Sequence, residues 1–290
     1  MDKILVVSSH AKETYANVTY EAKNNQTGEV FPYKLQTPVE VVWENTPRAE
    51  AEVIEGFDLP YDFNFLMVSQ ISPRKNFANA LKWWVEEFID QEVGLVVKSN
   101  IKCNSEMDFH AFHKAVKNLL SACPDRKCKV HLLHGDLSAG QMTGLYTHPK
   151  IKAIVNIAHG EGFGLPLFEA AREGLPVVTI GWSGQLDFLT HEGKEMFQKV
   201  DFTLSPVQQQ AVWDGVIQKD SMWAYADQGS YKMALRKAFK KQDKMKALAE
   251  TAQDIVDSKF RDEVLFELFC KNFEEEKSDF AKFVEELSHD

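Results

Sequence analysis

Glu161 and Glu169, three closely spaced glycines and Pro166 break an apolar stretch at His159 to Val178, which reads HGEGFGLPLFEAAREGLPVV. Glu161 sits among Gly160, Gly162 and Gly164, and Glu169 follows with seven residues between the two acids. Glycines leave backbone N–H groups open to a ligand, and a helix that starts there adds the positive end of its dipole, so the stretch is suited to an anion. A carboxylate beside it can accept hydrogen bonds from a pair of vicinal hydroxyls. One ligand carrying both sugar hydroxyls and a phosphate accounts for the glycines and for both acids. A second group of chemical interest is the cationic pair Arg74 and Lys75 in SPRKNF.

The flanking segments say how these residues must be held. IKAIVNIA at 151 to 158 and PVVTIG at 176 to 181 read as buried strands, and between them Pro166 suits a first helical turn, LFEAARE supplies helix formers, and Gly174 with Pro176 ends the helix. The unit is strand, glycine-rich loop, short helix, strand. Glu161 belongs to the loop and Glu169 lies about a turn inside the helix, where its side chain leans back toward the N-terminal end. Further strands are expected at KILVV, PVEVVW, FNFLMVSQ, VGLVVKSN and KVHLLHG, with amphipathic helices such as NFANALKWWVEEFI and FHAFHKAVKNLLSA between most of them. Alternating strands and helices imply an α/β fold with a Rossmann-like parallel sheet flanked by helices, and ligands of such sheets bind beyond the carboxyl ends of the strands. Trp83 and Trp84 are expected in the core or at an interface. From about 229 the chain reads as charged helices without an internal repeat.

EGFGLPLFEA, with its two glutamates, resembles the signature of the retaining GT-B glycosyltransferases. VSQISPRKNFANAL at 68 to 81 is similar to that family's first strand and phosphate loop, VHLLHGDLSAGQMTGLY at 130 to 146 to its middle segment, and WSGQLDFL at 182 to 189 to the turn after the glutamate helix. SMWAYADQGSYKMALRKAF resembles the family's ending, so the likeness runs roughly from 38 to 275. It implies that Glu169 binds the ribose hydroxyls of a nucleotide-diphosphate sugar and that Glu161 sits by the transferred sugar. It further implies that Phe163, Gly164 and Leu165, with Gly162 in the same loop, offer backbone amides to the sugar or diphosphate. Lys75 matches the lysine that neutralises the leaving diphosphate; many members carry an arginine five residues before it, where this chain has Gln70, and Arg74 is the candidate second cation. No metal or other cofactor is expected, because cations and amides can stabilise the departing charge.

Composition bounds the rest. With 290 residues, 44% apolar, the chain can bury a core, and its net charge of -10 with no basic cluster argues against nucleic acid as a partner. No stretch is long and apolar enough for a transmembrane segment and Met1-Asp-Lys leads into only four apolar residues, so a soluble, cytoplasmic protein is expected. Cys103, Cys123, Cys128 and Cys270 include two that precede His131 and His134 at a spacing superficially like a zinc site. On a strand, however, the two histidines are an odd step apart and face opposite ways, so no metal is expected there. His110 and His113 share a helix face with no evident partner and read as surface residues.

The resemblance also implies a gap. Residues 1–36 look like only the last strand and helix of an acceptor domain plus a hinge, with Asn24 to Leu35 as its loop; 37–228 form the Rossmann-like donor-binding domain; 229–290 are C-terminal helices packing on that same domain. Most of the acceptor domain is missing from this length. The expected function is glycosyl transfer from a nucleotide-sugar to an unknown acceptor with retention of configuration, alone or completed by an acceptor-domain chain or a homodimer. A non-catalytic nucleotide-sugar-binding module and an epimerase-like GT-B protein are the alternatives.

Overall fold

The computed structural model describes residues 2–273. In chain order the elements are β1 (Ile4–Val6), α1 (Ser9–Asn17), β2 (Thr19–Lys23), β3 (Val30–Lys34), β4 (Val39–Val41), β5 (Asn64–Val68), α2 (Phe77–Phe88), β6 (Gly94–Lys98) and α3 (Glu106–Leu120). There follow β7 (Lys129–Leu133), α4 (Ala139–Tyr146), β8 (Ile151–Asn156), α5 (Leu165–Arg172), β9 (Val177–Ile180) and α6 (Leu186–Leu189). The remainder comprises the short strands β10 (Thr190–His191), β11 (Lys194–Glu195) and β12 (Gln198–Val200), the pair β13 (Phe202–Pro206) and β14 (Met222–Ala226), and the helices α7 (Gln228–Lys240), α8 (Gln242–Lys259) and α9 (Asp262–Lys271).

Six strands form one sheet in the order β12-β9-β8-β5-β6-β7, every neighbouring pair parallel. Parallel strands covered on both faces need continuous apolar runs, and NFLMV, GLVVK, IKAIVN and VVTI supply them. Successive residues point to opposite faces, so Phe65 packs with Trp84, Phe88 and Tyr231 on one side while Leu66 packs with Phe163, Phe168 and Phe260 on the other. On α2 the buried positions are Phe77, Ala80, Leu81, Trp84, Val85 and Phe88, a helical stripe that lays the helix on the first side. Trp84 is fully buried and Trp83 packs at the edge of the same core.

The strand order places a switch point at β5. From β5 the chain moves outward through β6 and β7, then returns to lay β8 against the other edge of β5 and continues through β9 to β12. The loops leaving β5 and β8 therefore part in opposite directions and open a crevice between their carboxyl ends, where ligands of such sheets bind.

The structure departs from the sequence reading at its N-terminal side. Asn24 to Leu35 is not simply a hinge loop: Val30–Lys34 is a strand that pairs antiparallel with Thr19–Lys23. The Asn24 side chain accepts from the Gln26 and Thr27 amides and Gly28 adopts φ 76°, which closes a tight turn and folds the segment into a hairpin. Val39–Val41 pairs in parallel with Ile4–Val6 in a two-stranded sheet separate from the six-stranded one. An antiparallel pair absent from the sequence reading, β13 with β14, leads into the C-terminal helices. Of the stretch expected to be helical after 229, residues 274–290 lie outside the described residues. No helix among the described residues is long and apolar enough to cross a membrane.

Phe168 anchors the second core, with ring centroids 5.2 Å from Phe163, 5.3 Å from Phe188 and 5.5 Å from Phe260. Phe168→Ala is expected to cost about 3–5 kcal/mol. In urea the unfolding midpoint should fall without a change in slope; an unchanged midpoint would mean that this core does not support the fold.

Candidate functional site

The loop after β5 carries the cations. Its backbone is pinned to the neighbouring strand end, Ser69 N–H donating to Lys98 O at 3.2 Å and Ile71 N–H to Asn100 O at 2.8 Å. Asn76 then opens α2 in the left-handed conformation, φ 51°, and its side chain donates to Ile157 O in the loop after β8. His159 N–H donates to Arg74 O at 2.8 Å. The two loops flanking the switch-point crevice are thus joined backbone to backbone before any side chain meets.

Across that seam three charges converge. Lys75 Nζ lies 2.6 Å from Glu161 Oε1 and 2.8 Å from Oε2, Arg74 Nη1 lies 2.9 Å from Oε2, and Asn156 Nδ2 donates to Oε1 at 3.0 Å. The Glu161 and Lys75 side chains are 6% and 15% exposed, whereas that of Arg74 is 41% exposed. Burial by itself would raise the Glu161 pKa; the charge and hydrogen bond of Lys75, the charge of Arg74 and the Asn156 amide outweigh it and hold the carboxyl below its ordinary value. One carboxylate against two cations leaves the cluster with an excess of positive charge, suited to an incoming anion.

A second layer holds the Glu161 backbone. Ser183 Oγ accepts from Glu161 N–H at 2.9 Å and donates to Glu161 O at 2.6 Å, and Gly184 N–H reaches the same oxygen at 3.1 Å. Ser183 itself has φ 88°. A Cβ on Gly184 would stand 1.9 Å from Gly162 O, so only glycine permits this approach. Gly164 starts α5 at φ 97° with Pro166 in the first turn, and the N–H groups of Gly164 and Leu165 lie at a helix start, where no intrahelical acceptor exists.

The remaining expected residues are distributed as follows. Phe163 turns its ring into the core, leaving only its backbone for the crevice; Gly162 is exposed and Leu165 half-buried. Glu169 shares no hydrogen bond with the Arg74–Lys75–Glu161 cluster, and its Oε2 accepts from Tyr146 Oη at 2.7 Å. Gln70 donates to Ile101 O rather than entering the cluster.

Sequence reasoning did not single out Asn156, Ser183, His159 or Tyr146. The only signal was their membership in segments already noted, with Ser183-Gly184 as a turn pair. His159 is 1% exposed, stacks on Trp223 and tilts against Tyr225 from β14, and its Nδ1 lies 2.8 Å from Ala224 O; burial lowers its pKa against the opposing effect of the Ala224 hydrogen bond. Asp187 Oδ2 accepts from Ser9 N–H at 2.8 Å and from Trp43 Nε1 at 2.7 Å, which fixes the N-terminal segment over the site, with Val7 3.8 Å from the Cβ position of Gly162. His134 pairs with Asp108 at 3.0 Å, and this carboxylate also accepts from the Ile101 and Lys102 amides. Among the described residues no group of three or more His, Cys, Asp or Glu is placed to hold a metal. His110 and His113 are exposed, with Glu106 3.7 Å from His110.

Glu161→Gln strands the half-enclosed Lys75 and is expected to cost about 1–3 kcal/mol near neutral pH. Because the folded Glu161 pKa lies below its ordinary value, its stabilisation is complete above the ordinary carboxylate range and is lost as pH falls through the folded value. The stability gap between wild type and variant, measured by urea unfolding from about pH 7 to about pH 3, should therefore narrow on acidification. A gap that widens would contradict the pairing.

No protein-family profile matches the chain, and no curated protein sequence matches it. Solved structures do resemble it. The pneumococcal O-GlcNAc transferase GtfA, in complex with UDP and GlcNAc, is 14% identical with a TM-score of 0.52, covering 100% of this chain and 46% of that one. Sucrose-phosphate synthase from Thermosynechococcus elongatus is 14% identical with a TM-score of 0.61, covering 94% of this chain and 58% of that one. A glycosyltransferase from Rickettsia africae ESF-5 is 11% identical with a TM-score of 0.61, covering 94% and 62% respectively. The chain therefore spans about half the length of the proteins it resembles. At these identities the likeness shows the fold: a mixed α/β architecture whose six-stranded parallel sheet matches the Rossmann-like domains of GT-B proteins.

Proposed function

We propose that this chain is the donor-binding part of a retaining glycosyltransferase that uses a nucleotide-diphosphate sugar and needs no metal. The observation that carries the reading is the convergence of Lys75, Arg74 and Glu161 at the switch-point crevice, beside a glycine-opened helix start. Support comes from the similarity to an O-GlcNAc transferase solved with UDP and to other glycosyltransferases. The acceptor surface would come from an acceptor-domain chain or a second copy, and the setting would be cytoplasmic.

In this reading the diphosphate lies against Lys75, the more exposed Arg74 and the amides of Gly162, Phe163, Gly164 and Leu165, with Glu169 on the ribose hydroxyls. The bond from the anomeric carbon to the diphosphate oxygen breaks, and the acceptor hydroxyl oxygen bonds to that carbon on the same face. The hydroxyl proton passes to the departing diphosphate, and configuration is retained because the new bond forms on the face from which the diphosphate leaves. Cations and amides placed where charge develops lower the barrier. Glu161 serves twice: it holds Lys75 in place, and it lies beside the transferred sugar.

The test is calorimetric titration with UDP-, GDP- and ADP-sugars. One donor should bind wild type, and Lys75→Ala should weaken it by about tenfold to a hundredfold, the loss of a hydrogen bond to a charged group. Glu169→Ala should lose donor affinity, while Glu161→Ala should lose more turnover than binding in donor hydrolysis. No binding of any donor, or equal binding by Lys75→Ala, would overturn the reading.

A further inference from the structure

One Glu169 carboxylate oxygen already has a partner. Tyr146, the last residue of α4, is 3% exposed with its ring among Leu145, Ile151, Leu167 and Phe168, so packing sets the direction of its hydroxyl. That hydroxyl donates to Glu169 Oε2 at 2.7 Å, and Oε1 takes part in no hydrogen bond among the described residues. Burial, then the neighbouring Glu169 charge and the hydrogen bond to it, raise the Tyr146 pKa far above the ordinary phenol range, against a smaller opposing effect of Arg172. The phenol is a neutral, permanent donor at any physiological pH.

A glutamate on a helix has three rotatable bonds, and an unheld carboxylate pays to be ordered when a ligand arrives. We propose that Tyr146 is a positioning residue: it locks Glu169 through Oε2 and leaves Oε1 for the ribose hydroxyls, which makes the site select ribonucleotides over deoxyribonucleotides. This rests on the nucleotide-sugar reading of the same site. The contact costs no affinity for a ligand that lacks those hydroxyls, so the effect of Tyr146 is confined to ribose recognition.

The experiment titrates UDP, GDP and ADP, each alongside its 2′,3′-dideoxy counterpart, into wild type and Tyr146→Phe. Wild type should bind one ribonucleotide at least about tenfold more tightly than its dideoxy partner, the worth of hydrogen bonds to a charged group. In Tyr146→Phe the ribonucleotide should weaken about threefold to tenfold, the cost of ordering one side chain, with the dideoxy affinity unchanged. Equal weakening of both ligands would show a merely structural role, and a ribonucleotide affinity that holds or rises would show that Tyr146 competes with ribose; either overturns the proposal. Wild type that binds no nucleotide fails the donor reading itself and removes the proposal with it. Tight wild-type binding without preference for ribose leaves the donor reading standing and overturns only the proposal. Thermal melting confirms that the variant is folded, since removing one hydroxyl leaves Glu169 half-exposed and able to hydrate.

Discussion

A carboxylate that is 6% exposed can stay charged only if cations pay for the water it has lost, and the Glu161 contact with Lys75 and Arg74 organises this structure around that requirement. The partners come from loops 86 residues apart in sequence, so the interaction exists only when β5 and β8 are neighbours. Removing a single member of such a cluster strands a charge, which is why geometry, more than net Coulomb gain, is what the arrangement protects. The left-handed Asn76, the Ser183 clamp and the His159–Arg74 backbone bond all serve to hold the loops at the required separation. The same cations that neutralise Glu161 are those to which the proposed diphosphate would bind.

Most of the sheet could be read in advance because buried parallel strands are short apolar runs between turn signals, and NFLMV, GLVVK and VVTI are too short for buried helices. The helix stop at Gly174, φ 71°, and the start at Pro166 were legible for equally local reasons. The antiparallel pairs β2–β3 and β13–β14 were not. Thr19–Lys23 and Val30–Lys34 mix charge, proline and aromatics on exposed faces, and Phe202–Pro206 pairs with a strand beginning at Met222, so neither carries a periodic signature. The turn at Asn24 was visible as composition, but composition cannot say whether the chain leaving a turn will pair with the chain entering it.

The same division runs through the site. Glu161, Lys75 and the glycines stand out because residue type alone restricts what they can do. Ser183, Asn156 and Tyr146 are ordinary residues whose importance lies in which atom they face, and that depends on the register between loops from β8, β9 and α4. Asp187 is similar: nothing in LDFL suggests a bond to the start of α1 and to the Trp43 indole, yet this one carboxylate fastens the N-terminal segment to the sheet domain.

Gly162 and Gly184 cross with no room for a methyl group between them. Side chains at an interface can absorb a shift by changing rotamer; two main chains in direct contact cannot. A displacement at the end of β9 is therefore passed whole to the loop bearing Glu161, and the segments around 160–164 and 182–185 behave as a single stiff plate. Any closing movement that accompanies ligand capture must bend at hinges outside this plate, and the plate itself travels as a rigid body.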